Sequence, residues 1–463
     1  MTFHYFISSL FRKINRFHLI LLLLVLGSNS SLIAGTIKVG IARKIITPAA
    51  PVYLTGYAGR DKPATGVIHD LWAKAVVLQE NEKNKIIIVS TDLLGLSHEV
   101  SESVAKKIQT KYNIDRSQLM LNSSHTHSGP MIWPSLSVIA DYTPAEQQVV
   151  SKYTLRLIDD LVSVIDSAFA RLKPMNVYCG HDSAGFARNR RLPTDKGIIN
   201  AVNENGPVDH DVPVLKITSL DGVVKAVLFG YACHNTTVVG DNYLVNGDYA
   251  GFAQLEIEKA YPGCTALFLL GCAGDQNPVP RGTVELAVQH GKSLADAVIR
   301  ALRTEMVMVN VPIRTSREIV DLPFKPFTVE TFEKDIVGSN KFLQRRAKLM
   351  LEAYNKGWIV DKYAYTVQAI RFGNELTLLA LNGEVVIDYA LRVKQEYPKE
   401  NMWVAGYSNE VMCYIPSKRV LQEGGYEAVD NMIYYGMPGP FAESIEQRIF
   451  SAIHSVMKKV AVK

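Results

Sequence analysis

The chain has 463 residues, 48% of them hydrophobic, with 50 Lys and Arg against 45 Asp and Glu and a formal charge of +5. A near-balance of this kind, with no basic run beyond the N-terminus, excludes nucleic acid as an expected partner. Five cysteines (179, 233, 264, 272 and 413) in so long a chain do not form a disulfide framework.

Taken in order, residues 1–35 have the layout of a secretory signal. Arg12, Lys13 and Arg16 precede the apolar run Leu19–Leu26, and small residues follow near Ala34. The run is too short to cross a bilayer comfortably, so cleavage is expected over anchoring, and the mature chain is secreted or periplasmic. Removing three basic residues lowers the charge to +2. "TIKVGIA", "WAKAVVLQ" and "KIIIVSTDLL" read as strands, "SHEVSESVAKKIQTKY" as a helix and "SQLMLNSSH" as a strand again. A helix over 144–171 follows. "VPVLKITSLDGVVKAVLFGYACH" is a hairpin turning at Asp221-Gly222, and "GDYAGFAQLEIEKAY" a helix. "CTALFLLGCAGDQNP" is a buried strand opening into a Gly-rich corner, and a helix follows it at 282–302. At about 3.3 Å per residue the strand between Cys264 and Cys272 holds them too far apart to be bridged, so mostly free, buried thiols are expected. Beyond lie one long amphipathic stretch, Thr328 to Lys356, two strands in "AYTVQAIRFG" and "LTLLALNGE", and a Tyr-rich segment over 407–435. No repeat, low-complexity tract or Pro/Ser linker is evident. Residues 36–463 therefore read as one α/β unit, a single large mixed-sheet domain with helices packed around it.

Chemistry-capable residues sit just after apolar runs: His125 and His127 in "NSSHTHSGP", His234, Asp275 and Glu384. Ligands of open α/β sheets bind at strand C-terminal ends, so the active site is expected there. Hydrolytic zinc takes about three protein ligands from His and Asp or Glu and keeps a position open, a count that two histidines and a carboxylate satisfy. Singly, each has an ordinary reading too. His234 fits a hydrogen-bonded loop residue, Glu384 a cap for the helix starting near Val385, and Asp275 a cap for the next helix. In a strand both histidines of His-x-His share a face; in a loop one alone could reach an ion.

The series "VGIARKIITPA", "LTGYAG", "SSHTHSGP", "CHNTT…NGDYAGFA", "GCAGDQNP" and "LNGEVV" resembles the N-terminal catalytic domain of the neutral/alkaline, non-lysosomal ceramidases, in the family's order and over nearly all of 36–450. The resemblance implies a Zn2+ site held by His125, His234, Glu384 and a tyrosine. Matching "NEVMCYIPSKRVLQEGGYE" gives Tyr414 as that ligand and Tyr426 as a second, catalytic tyrosine. His127 becomes the proton-transfer neighbour, and Arg190 in "FARNRR" the substrate-contacting arginine, with Arg188 and Arg191 as competitors for that role. The implied activity is cleavage of a linear amide by metal-bound water, with a small-molecule or lipid amide as substrate.

Three departures stand out. The family's Gly-Asp-Val-Ser-Pro is Gly274-Asp-Gln-Asn-Pro278 here, so Asn277 replaces a catalytic serine. A carboxamide cannot serve as an alcohol nucleophile, which leaves Asn277 or Gln276 to orient substrate. No residues are expected to form the family's C-terminal immunoglobulin-like domain. Met131, Ile132 and Trp133 replace small residues after the histidine motif, and Trp133 is expected to pack against its loop rather than cover an acyl chain or sugar. The amphipathic 328–356 stretch reads as core cover, with peripheral membrane contact as the alternative. Two further alternatives are hydrolysis of another N-acyl or sugar-conjugate substrate and a metal-containing binding protein without turnover. The sequence does not specify an oligomeric state.

Overall fold

The computed structural model of the protein describes residues 37–358 and 360–461. The expected signal segment lies outside them. Among the described residues no helix is long and apolar enough to cross a membrane.

Three sheets carry the same plan. The first has strands Lys38–Ile45, Trp72–Gln79, Lys85–Thr91 and Leu119–Ser123, with helix His98–Tyr112 between the third and fourth and helix Pro144–Phe169 after the fourth. The second has Asn176–Ser183, Asp211–Thr218, Val224–Tyr231 and Thr265–Leu270, with helices Asp248–Ala260 and Val284–Arg303 in the same places. The third has Ile313–Pro323, Lys362–Phe372, Leu376–Leu381 and Met402–Ala405, with helices Ile387–Glu396 and Ile445–Val460. In each, the first three strands pair antiparallel and the last two parallel. A helical crossover is what a parallel neighbour demands. The mixed α/β class is therefore as expected, and the structure adds a threefold recurrence that no sequence repeat announces.

Alternation within the strands explains how three sheets share one interior. In Lys85–Thr91, Ile86 and Ile88 point to a central core with Met120, Leu228, Leu267, Leu378 and Trp403, where all three sheets meet. Ile87 and Val89 point the other way, onto Val104, Ile108, Leu157 and Leu161 of the covering helices. The second and third sheets bury their outer faces likewise, on Ile257, Leu294 and Val298 and on Ile387, Ile453 and Val456. Sheets buried on both faces read as nearly continuous apolar runs, which is why these strands are visible in the sequence. The five cysteines are buried and free.

The parallel strands end together, and one side chain ties them. Asn122, 1% exposed in the first sheet, accepts from Leu270 N of the second at 2.9 Å and donates to Gly406 O after the third at 2.8 Å. Isolated bridges Asn122–Ser408 and Gly271–Ala405 continue the seam.

Several expectations change. Strand Leu119–Ser123 stops before the histidines, so both lie in the loop. The 328–356 stretch is two helices, Val329–Ile336 and Lys341–Asn355, parted at a turn where Asn340 caps the second. Strands Asn176–Ser183, Ala187–Thr194, Gly197–Asn203 and Ile313–Pro323 were not anticipated. Trp133 does pack against its loop, with Leu94, Met131 and Val150.

Asn122→Ala leaves Leu270 N and Gly406 O unpaired in a dry seam, and at about 1–3 kcal/mol per orphaned group it should cost about 3 kcal/mol in a urea titration. A loss below about 1 kcal/mol would show that the seam holds without it.

Candidate metal centre

Each candidate ligand is delivered by a strand end. His125 follows Ser123 by two residues and adopts φ 61, a left-handed conformation uncommon for a non-glycine residue and enriched at functional sites. His234 lies beyond Tyr231, the end of the second sheet's third strand, and is fully buried. Glu384 follows Leu381 in the third sheet. It opens a two-stranded parallel ladder in which it is the direct partner of Tyr414. Two residues thirty apart in sequence are thereby held side by side.

The distances describe a set of acceptors around a gap. His125 Nε2 and His234 Nε2 each lie 3.1 Å from the same oxygen, Glu384 Oε2. Tyr414 OH lies 3.2 Å from His234 Nε2. Both histidines direct Nδ1 at a backbone carbonyl, Leu94 O and Ala273 O, each at 2.6 Å. Such bonds place the ring proton on Nδ1 and leave Nε2 as a lone-pair donor, the usual outer-shell support of a metal-bound histidine. Lone pairs facing one carboxylate oxygen call for a cation between them. A tetrahedral zinc with bonds near 2 Å has ligand-to-ligand edges of about 3.3 Å, close to the observed separations. The residues therefore fit a zinc ion.

His127 completes the cluster. Single nitrogens of His125, His127 and His234 lie within 4.8 Å of one another, and neither ring nitrogen of His127 has a hydrogen-bond partner although both are shut off from solvent. A buried polar atom without a partner marks a place reserved for something else. The ring is held from behind by the "LTGYAGR" loop. Gly56, at φ 93, leaves room that a Cβ would take from the His127 ring, and Tyr57 meets the ring edge-on at 4.8 Å. Arg60 donates to the His127 carbonyl and also to Thr55 O, Gly240 O and Asn242 O. Burial draws the Arg60 pKa down to about 10.

Electrostatics separate the roles. Burial opposes ionisation of Glu384, yet His125 and His234 outweigh it and hold the carboxyl well below its ordinary range. Burial, helped by Arg190, pushes His234 down to about 4. Burial, reinforced by His125 and His234, keeps His127 well below its usual value and so neutral. Tyr414 is driven upward by burial, against the pull of Arg190.

Of the three neighbouring arginines, Arg190 alone reaches the centre. Its Nη2 donates to Tyr414 OH at 3.0 Å, its Nε to Glu427 at 2.8 Å, and its Nη1 to Asn277 Oδ1 at 3.4 Å. Arg191 is drawn off by Glu427 and Glu423, and Arg188 by Glu204. Tyr426 stands edge-on to Tyr414 at 5.4 Å. His125, His127, Glu384, Tyr414 and Tyr426 line a cavity of about 220 Å³ whose remaining wall includes Leu94, Leu136 and Ile139.

Four expected site residues are not part of that lining: His234 and Arg190, which contact its Glu384 and Tyr414, and Asp275 and Asn277. Asp275 is fully buried and accepts from Asn189 Nδ2, Gln276 Nε2 and Ile387 N. It anchors the helix after Glu384 rather than the next helix in sequence. Asn277 Oδ1 accepts from Arg190 and Thr236, so its amide holds the arginine. Residues not singled out from sequence include Tyr435, which donates to Glu384 Oε1, Tyr407, 3.5 Å from Glu384 Oε2, and Glu427. The Tyr-rich segment was the available signal for the first two; nothing marked Glu427.

Residues 37–277 match the family described as neutral/alkaline non-lysosomal ceramidase, N-terminal. The chain is similar to neutral ceramidase of Pseudomonas aeruginosa, 27% identical over 52% of this chain and 37% of the relative. It is also similar to neutral ceramidases of Drosophila melanogaster (24%, covering 50% and 33%) and Mycobacterium tuberculosis (24%, covering 49% and 36%). The matched segment thus spans about a third of each of these relatives. The crystal structure of the Pseudomonas aeruginosa neutral ceramidase superposes with a TM-score of 0.71 at 18% identity, covering 92% of this chain and 75% of that one. At 92% of this chain the fold likeness extends past residue 277, where the family match ends. With more than half of its residues inside that match, the chain belongs to the neutral/alkaline non-lysosomal ceramidase family.

Proposed function

We propose that the protein is a zinc-dependent hydrolase of linear N-acyl amides, with ceramide, the compound in its relatives' names, as the reference substrate, acting outside the cytosol as residues 1–35 suggest. One observation carries this reading: two Nδ1-anchored histidines, a carboxylate and a phenol converge from separate strand ends beside a third, unpartnered histidine at the floor of a cavity. His125, His234, Glu384 and Tyr414 would hold zinc, which would polarise a carbonyl and lower the pKa of water toward neutrality.

The chain's own groups supply the rest. His127, neutral and without a competing partner, accepts a proton from the attacking water and returns it to the leaving nitrogen. The water oxygen joins the acyl carbon, the C–N bond breaks, and a carboxylic acid, which keeps the second water proton until it ionises, and an amine result. Arg190 and Tyr426 stand beside Tyr414 to donate to the developing oxyanion. Arg190 is kept charged, since Tyr414 and Glu427 outweigh its burial. Asn277, holding Arg190 in place of the family serine, needs no nucleophilic role. Asp275 fixes the Glu384 helix.

His125→Ala or His234→Ala should each remove the bound metal, measured by elemental analysis, together with amide hydrolysis. Full activity of metal-free protein would refute the reading. His127→Ala should retain the metal while kcat falls by about 10²–10⁴; loss of the metal instead would make His127 a ligand. Arg60→Met frees the His127 loop, so kcat should fall by about 10²-fold with a smaller change in KM and metal retained, as expected when a catalytic group is misplaced by about 1 Å. An unchanged kcat would assign Arg60 a purely structural role.

A further inference from the structure

A second cavity of about 300 Å³ adjoins the catalytic one, and the two share Tyr57, Ala58 and Ile139. A substrate that outgrows the inner chamber past these three residues meets the outer one. Their walls differ in chemistry. Beyond the polar centre the inner chamber presents Leu94, Leu136 and Ile139. The outer chamber presents the paired rings of Tyr53 and Tyr142, with centroids 4.9 Å apart, among four charged side chains, Arg60, Asp61, Asp141 and Lys341.

Three of these charges are held in place. Asp61 accepts from Tyr243 OH at 2.9 Å, Asp141 pairs with Arg345 at 2.7 Å, and Arg60 is tied to backbone carbonyls. An alkyl chain laid against such a wall would strip water from charged groups and return no hydrogen bond, which is unfavourable. A hydroxylated ring offers donors to the carboxylates, acceptors to Lys341 and an apolar face to the tyrosines.

Resting on the N-acyl hydrolase reading, we propose that the outer chamber is a subsite for a polyhydroxylated, sugar-like group on the amine side of the scissile bond, and that the acyl group occupies the inner chamber. The preferred substrate class is then an N-acylated amino sugar or similar hydroxylated amine, rather than an amide with long alkyl tails on both sides.

The test uses two amides with the same eight-carbon acyl group, one on a hexosamine and one on a sphingoid base, with the zinc-loaded full chain. The hexosamine amide should have the higher kcat/KM by about tenfold or more. Asp61→Asn and Tyr142→Ala should each raise KM for it several-fold, with a smaller effect on kcat, and lower the ratio between the two substrates. Preference for the sphingoid amide, or a ratio that neither substitution lowers, overturns the subsite. Cleavage of neither amide by metal-loaded protein would count against the hydrolase reading instead. Calorimetric binding of the hexosamine amide then decides the chamber. Binding weakened by Asp61→Asn supports it, and no binding, or binding untouched by the substitution, overturns it.

Discussion

The fold depends on how three sheets end at one place, and the amide of Asn122 is the contact that enforces it. A strand end has backbone groups with no ladder partner, and burying them unpaired is costly. Asn122 is long enough to reach both neighbours and carries a donor and an acceptor, so one side chain satisfies Leu270 N and Gly406 O together. A leucine would fill the space and leave both groups orphaned; an aspartate would lose the donor. Because the seam lies three residues before His125 and close to Gly271 and Ala405, it also sets the spacing from which ligands of all three sheets project. Stability and the geometry of the centre therefore rest on the same hydrogen bonds.

The centre shows a division between groups that face the gap and groups that hold them there. Leu94 O and Ala273 O fix the tautomers of His125 and His234. Tyr435 and Tyr407 hold Glu384. Arg190 bridges Tyr414 to Glu427, and the "LTGYAGR" loop backs His127. Residues of the second kind outnumber the first. Their role is to keep polar atoms aimed at a buried point, an arrangement that water would otherwise scramble.

What could be read from the sequence follows from periodicity. Lys85–Thr91 and Thr265–Leu270 bury both faces and appear as apolar runs, and Pro144–Phe169 begins at a capping box, Thr143 with Glu146. Asn176–Ser183 and Ala187–Thr194 contain His181, Asp182 and three arginines, so no apolar run marks them. Yet the second of these carries Arg190 to the centre. His125, His127 and His234 were visible because each follows an apolar strand. Glu384 was visible for the same reason, after Leu376–Leu381, whereas Tyr414 came from resemblance, since its pairing with Glu384 is a tertiary ladder. Glu427 was hidden because a carboxylate that neutralises two buried arginines looks, in a sequence, like any other surface glutamate. The threefold plan was invisible because the three copies share element order and little residue identity.

That plan gives the molecule a particular kind of freedom. In every copy a long excursion separates the first and second strands, and each one reaches the site: 46–71 brings Tyr57 and Arg60 and 324–361 brings Lys341 to the cavity walls, while 184–210 brings Arg190 to Tyr414. Most of the presumed ligands leave from the opposite half of each copy, at the parallel pair. Lineages can therefore lengthen, shorten or recharge one excursion while the ligand-bearing strands stay as they are. One constellation of strand-end side chains can in this way be given a succession of different chambers without being rebuilt.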